Sequence, residues 1–291
     1  LEPDHFGVAT RNLYAALSDV YNWYEDTGVP RLVSIEGDFA HEKVLSILSN
    51  HDFKAVFHLA AKPRVEWSVQ QPLEATDENL NRTLALAKSC ADNNTRLVFS
   101  STSSVYGNAE FLPTSEDESK NPESPYGLSK YCAEQYMHLF EKLYNLEWVA
   151  LRYFNVYGPV QRGDSPYSTA IAAWCHRSRE GQALRSDGDG NQSRDLVHVE
   201  DVADVNILCS SVWNPGLSRV YNVGSGSAVT NNWVLERFAE RGYVEVQHAP
   251  ERPGDVKDTL ADISLLKEDL NWEPKISISE GLKTTMDWWE L

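Results

Sequence analysis

Cysteine is scarce in this 291-residue chain: there are four, Cys90, Cys132, Cys175 and Cys209. They are too scattered for a metal-ligand pattern or a disulfide framework, and they read as buried free thiols of a reducing compartment. Positive charge is also in short supply, with 26 Lys and Arg against 43 Asp and Glu and a net charge of −17. That balance argues against nucleic acid or an anionic membrane as partner, and an anionic ligand would need a local basic pocket. No apolar run approaches the ~18 residues of a membrane span. Leu1-Glu2-Pro3-Asp4 carries no secretory pattern, so a soluble, cytoplasmic protein is expected. What is present is 42% apolar residues, enough to bury the core of one large α/β domain or of a major domain with a smaller lobe.

Arg96-Leu97-Val98-Phe99-Ser100-Ser101 reads as a buried strand whose carboxyl end delivers a hydroxyl cluster that includes Thr102. Open α/β sheets place their ligands at that edge. Downstream, Pro125 suits the first position of a helix, and Tyr126 and Lys130, four residues apart, project from one face of it. A free tyrosine titrates near ~10. An ammonium within about 4–6 Å favours the phenolate, so Lys130 is expected to bring Tyr126 towards use as a general base. Thr102 would hydrogen-bond the same substrate hydroxyl and relay its proton. The bare pair also fits a half-buried tyrosine beside a solvated lysine on an amphipathic helix. Further expected elements are a strand over 31–35, a helix over 41–49, a helical period from Asp77 to Asp92 and a strand over 147–152. Ala55 to Ala61 is a continuous apolar run, as in a parallel strand covered on both faces.

SSTSSVYG (Ser100 to Gly107), SPYGLSK (Ser124 to Lys130) and RYFNVYGP (Arg152 to Pro159), in this order and spacing, resemble the extended short-chain dehydrogenase/reductase family, in particular its nucleotide-sugar 4-epimerases. The resemblance implies an α/β fold, a Rossmann-like doubly wound parallel sheet with a smaller α/β substrate lobe. Residues 1–160 would form the NAD-binding domain and 161–291 mainly the substrate lobe, with segments around 195–225 returning to the first. It implies NAD as cofactor, a UDP-sugar as substrate (UDP-glucose or UDP-galactose, with N-acetylated forms) and a homodimer through the helices of Asn79 and Tyr126. Thr102, Tyr126 and Lys130 would be catalytic. Cofactor contacts would come from Asp4, Asp38, Phe39, Leu59, Ala60, Ala61, Asn79, Ser100, Tyr126, Lys130, Tyr153 and Phe154. Thr102, Asn155, Tyr167, Arg194, Arg252, Asp255 and Thr259 would face the substrate, with the two arginines clamping its diphosphate and Thr259 small enough to admit an N-acetyl group.

Departures from the family pattern carry expectations of their own. The family opens with a strand, a G-x-x-G-x-x-G turn and a helix, and no such turn stands in residues 1–30. The sequence is therefore expected to be a shortened form or a variant with impaired cofactor binding. Arg82 stands where glycine is usual, which puts tight helix-sheet packing in doubt there. Ser103 and Ser104 occupy positions where dehydrating and decarboxylating members carry carboxylates, so hydride removal and return is the expected chemistry. His58 is expected to be a satisfied core residue, and Asp38 fits a helix N-cap as well as an adenine contact. Rival readings are a UDP-glucuronate epimerase, a keto-sugar reductase and a cofactor-deficient homologue that binds UDP-sugars.

Overall fold

The computed structural model describes residues 35–165, 168–212, 214, 217, 219–242, 245–250 and 256–291. Its main layer is a four-stranded parallel sheet in the order β1-β2-β3-β7. The strands are β1 (Ala55–His58), β2 (Arg96–Thr102), β3 (Trp148–Tyr153) and β7 (Val220–Val223). Every residue of β2 after Arg96 is buried, as a strand covered on both faces requires. One face is covered by α4 (Arg82–Asp92) and α5 (Pro125–Tyr144), through Leu86, Ala87, Cys90, Ala133 and Met137. On the other face lie α7 (Val199–Ser211) and α9 (Ser264–Leu270), through Val202, Val205, Cys209 and Leu266. At about 1.5–3 kcal/mol for each buried aliphatic side chain, these two layers are the main cohesive term.

The chain then leaves the sheet. A three-stranded sheet joins β4 (Asn155–Tyr157), β6 (Ser193–His198) and β8 (Ala228–Thr230). A parallel pair joins β5 (Leu184–Asp187) to β9 (Val246–Ala249). A separate apolar cluster lies under α6 (Ala170–Arg179), α8 (Asn231–Ala239) and α10 (Ile278–Trp288), built on Trp174, Phe238, Met286 and Trp289. Among the described residues no helix is long and apolar enough to cross a membrane.

Local chemistry fixes the site-bearing helix. Ser124 caps α5 by accepting from the Gly127 N–H at 3.1 Å, and Pro125 takes a position where its missing N–H costs nothing. Tyr126, Lys130, Ala133, Glu134 and Met137 recur at helical spacing and are buried, so one face of α5 is turned to the sheet. Asn145, in the left-handed conformation, ends the helix.

Three expectations need correction here. Among the described residues the run from Ala55 to Ala61 is not covered on both faces: the strand stops at His58, and Phe57 and Leu59, which share one face, are exposed. The helix expected from Asp77 opens as a π-turn, Asp77–Asn81, before α4 begins. Arg82 does not disturb packing, because its guanidinium points outward to Asp38 at 3.1 Å and to Asp77 and Glu78 at 3.3 Å while Thr83 fills the buried position beside it.

Candidate active site

The carboxyl ends of β2 and β3 meet in register, Ser101 beside Arg152 and Thr102 beside Tyr153. Side chains alternate between faces along a strand. Ser101 accordingly looks towards α5, donating to Glu134 at 2.5 Å, while Ser100 bonds the Tyr153 hydroxyl at 3.2 Å on the other side. Glu134 carries a buried ion pair with Arg152 at 2.7 Å. Arg152 also donates to the Tyr106 hydroxyl at 2.8 Å, which donates in turn to Asn222 at 2.6 Å. This network clamps helix, strands and the loop after β2 together. Glu134 recurs one turn beyond Lys130, a spacing the sequence displayed, yet its role as the counter-ion of Arg152 was not foreseen.

Tyr126 and Thr102 do come together. The Tyr126 ring is buried, and Gly127 beside it sits so close to the Ser104 backbone that an added methyl would meet the Ser104 carbonyl at 2.6 Å, which sets the first turn of α5 at the Thr102 end of β2. The expected electrostatics fail, however. Burial pushes the phenol up to about 12, with Thr102 as the only opposing influence. Burial also brings Lys130 down to about 7, against the pull of Glu134. The Lys130 Nζ donates to the Ser100 carbonyl at 2.8 Å and lies over the Phe99 ring at 4.6 Å, so its charge is not directed at the phenol. Desolvation therefore dominates at the phenol, and the ammonium is not among the influences on it. Thr102 further caps the short turn Ser103–Val105, accepting from Ser104 N–H at 3.2 Å and donating to the Ser104 hydroxyl at 3.2 Å.

Around the β1 end, Asn79 is buried and spends its amide on the backbone of residue 62, accepting from Lys62 N–H at 2.8 Å and donating to Lys62 O at 3.1 Å. It thereby fixes the segment that follows Leu59, Ala60 and Ala61. Ala60 is exposed and Ala61 half-buried, a side-chain-poor ledge at the sheet's carboxyl edge. His58 is buried, bonds Thr83 at 2.8 Å and is lowered by burial to about 3, as expected of a neutral core histidine. Phe39 packs on the His58 ring at 4.8 Å. Asp38 accepts from the Ala40 N–H at 2.9 Å in addition to pairing with Arg82. Phe154 is buried against Val105, Tyr106 and Ala261.

Past Tyr153 the chain enters a cleft of about 540 Å³ bounded by Asn155, Trp174, Arg177, Arg185 and Arg194, among others. Asn155 lies two residues beyond the partner of Thr102, no more than about 7 Å along an extended chain. Its amide donates to the Asp195 carbonyl and to the Thr259 hydroxyl, each at 3.2 Å, so Thr259 is tied to Asn155 at this wall. Arg194 donates to the Ser193 and Lys257 carbonyls at 2.9 and 2.8 Å. Arg177 and Arg185 were not anticipated, because neither belongs to a recognisable motif and only the fold of α6 against β5 brings them to the cleft. Asp4, Tyr167, Arg252 and Asp255 lie outside the described residues. No group of His, Cys, Asp or Glu able to hold a metal occurs among the described residues.

Residues 9–224 match the model of the NAD dependent epimerase/dehydratase family. The UDP-glucuronate 4-epimerase of Thermodesulfobacterium geofontis is 36% identical over 84% of this chain and 74% of its own length. The UDP-glucose 4-epimerase of Mycolicibacterium smegmatis is 31% identical over 87% and 81%. Among solved structures, the UDP-N-acetylglucosamine 4-epimerase from Methanobrevibacter ruminantium, in complex with UDP-N-acetylmuramic acid, superposes with a TM-score of 0.83 at 36% identity, covering 92% of this chain and 86% of that one.

Proposed function

The chain belongs to the NAD dependent epimerase/dehydratase family, and from that premise we propose that it inverts carbon 4 of a UDP-hexose, with Tyr126, Thr102 and Lys130 as the catalytic set. The observation that carries this reading is the seating of the first turn of α5, which bears Tyr126, against the carboxyl end of β2, where Thr102 is followed by Ser103 and Ser104 at positions where an eliminating enzyme would need carboxylates. When bound, NAD supplies the oxidant that removes hydride from the sugar carbon and returns it.

The residues present suit that cofactor by their chemistry. Lys130 keeps two further N–H donors besides the one it gives to Ser100, fit for ribose hydroxyls. Ala60 and Ala61 allow close backbone approach, and Asp38, Phe39, Asn79, Ser100, Tyr153 and Phe154 complete the expected wall. Tyr126 takes the proton of the 4-hydroxyl with Thr102 holding the same oxygen. Arg194, with Arg252, matches the diphosphate in charge and fork geometry. Asn155, Tyr167, Asp255 and Thr259 would line the rest of the substrate site, and the modest bulk of Thr259 favours acceptance of UDP-N-acetylglucosamine as well as UDP-glucose. Residues up to about 160 would hold the cofactor and 161–291 mainly the sugar nucleotide, in a cytoplasmic enzyme. The outer face of α5 exposes Leu128, Tyr136, Leu139 and Leu143 in one stripe, which supports a homodimer through this helix.

A UDP-glucuronate epimerase is the second reading, favoured by the 36% identity to the Thermodesulfobacterium protein. The test is to incubate the purified protein, after measuring its bound NAD by absorbance, with UDP-glucose, UDP-N-acetylglucosamine and UDP-glucuronate and to follow C4 inversion by NMR. Conversion of each of the first two to its own C4 epimer is expected, and Tyr126→Phe should cost about 10²–10⁴-fold in kcat with the fold intact. Turnover of UDP-glucuronate alone would select the second reading, and NAD-free protein that binds UDP-sugars without turnover would point to a cofactor-deficient homologue.

A further inference from the structure

We propose that Ser68 is a positioning residue that holds Tyr126 from outside its own helix, by accepting the backbone N–H of the very residue that carries the phenol. This rests on the reading of Tyr126 as the base.

The first N–H groups of an α-helix have no partner inside it. In α5 they are met one by one. Pro125 has none to give, and Gly127 donates to the hydroxyl of the cap, Ser124, at 3.1 Å. Tyr126 lies between them and donates to the Ser68 hydroxyl at 3.2 Å, a side chain 58 positions upstream. Ser68 is fully buried, so a donor deprived of it would lose its partner rather than trade it for bulk water.

The Ser68 hydroxyl is itself held in place. A serine hydroxyl has one proton to donate and lone pairs to accept with. Ser68 gives its proton to the Val65 carbonyl at 2.6 Å, inside the helix Val65–Gln70, and keeps its acceptor capacity for Tyr126. That helix is anchored in turn at the carboxyl edge of the sheet. Asn79 binds both backbone groups of Lys62, and the Lys62 Nζ pairs with Glu74 at 2.7 Å and lies over the ring of Trp67, the neighbour of Ser68, at 4.8 Å. The segment that leaves the Ala60 and Ala61 ledge therefore ends on the turn that bears Tyr126.

This turn has a reason to need outside support. Gly127 is required there, because a side chain would run into the Ser104 carbonyl, and glycine makes a helix start more pliant. A displacement of about 1 Å in a reacting group can cost on the order of 10²-fold in rate. Ser124 restrains the Gly127 amide, and Ser68 restrains the Tyr126 amide.

The test uses the full chain with Ser68→Ala, alone and combined with Tyr126→Phe. In protein labelled with nitrogen-15 at tyrosine, Tyr126→Phe assigns the Tyr126 amide, and its exchange with deuterium in the absence of substrate reads the bond directly. Ser68→Ala should speed that exchange about tenfold more than it speeds exchange at Tyr153 in β3 and Tyr221 in β7. In turnover, Ser68→Ala should lower kcat about tenfold with KM within about twofold of native. On the Tyr126→Phe background the same change should alter the residual rate by less than about twofold, because Ser68 acts only through the phenol. Ser68→Cys, of similar shape but a weaker acceptor, should lie between native and alanine in both readouts. Equal acceleration of all three amides would overturn the proposal, as would an equal loss of kcat in both backgrounds, since either marks a general packing role. Exchange needs no substrate, so a protein that epimerises no UDP-sugar would refute the functional reading, while the exchange rates still decide whether Ser68 holds Tyr126.

Discussion

The two ends of β2 and β3 are held by opposite means. At the amino end Leu97, Val98 and Phe99 lie beside Trp148, Val149 and Ala150, and all six are buried and apolar. At the carboxyl end Ser100, Ser101 and Thr102 lie beside Leu151, Arg152 and Tyr153, with their polar groups nearly as enclosed. The first end coheres by desolvation, which has no preferred direction. The second coheres only while each donor meets its acceptor, since an unmatched buried polar group costs about 1–3 kcal/mol. Directionality is what a reaction needs, and it makes the carboxyl end brittle where the amino end is merely compressible.

The largest effect should come from breaking one partner of the brittle end. Glu134→Gln leaves the Arg152 guanidinium enclosed without its counter-charge, and urea unfolding should show a loss of about 3–5 kcal/mol. Replacing both, with Glu134→Leu and Arg152→Met, should recover more than half of that, because no uncompensated charge remains. Equal losses in the single and double variants would mean that packing, not charge pairing, holds this end. At the amino end Leu97→Ala should cost about 3 kcal/mol through lost contact and a residual cavity. Its kcat per folded molecule and its pH profile should match the native protein. A change in either would show that the two ends are coupled.

The amino end was the readable part. An uninterrupted apolar run bounded by polar residues specifies a strand buried on both faces, and Pro125 marked the start of α5 with Tyr126 and Lys130 on one face of it. The meeting of Tyr126 with Thr102 was also legible, because strand end and helix start follow one another in a parallel sheet. The charge balance was not. Spacing placed Lys130 one turn from Tyr126 but carried no information on where its Nζ would point, and the Ser100 carbonyl and the Phe99 ring claim it. The extent of desolvation was equally hidden, since it depends on α5 being pressed against β2 along its whole first half. Arg82 misled for a related reason: a long side chain at a small residue's position can turn outward when acidic partners such as Asp38, Asp77 and Glu78 wait there.

The smallest effect, and the one most particular to the carboxyl end, belongs to Lys130. Burial lowers it to about 7, whereas in the unfolded chain a lysine titrates near ~10.4. Below about pH 7 both states carry the charge, so the folded state bears the full cost of enclosing it. Between there and ~10.4 the unfolded chain keeps a proton that the folded one has released, and the cost shrinks as pH rises. A separation of about three units at ~1.36 kcal/mol each makes the gross cost on the order of 4 kcal/mol. Lys130→Met removes it but strands the Ser100 carbonyl, which returns about 2 kcal/mol of penalty. Protein stripped of NAD should therefore be about 2 kcal/mol more stable as Lys130→Met at pH 6, with the advantage gone or reversed by pH 10, as urea titrations at both values would register. A pH-independent difference would mean that the ammonium is solvated in the folded protein, and that the enclosure distinguishing this end of the sheet stops short of Lys130.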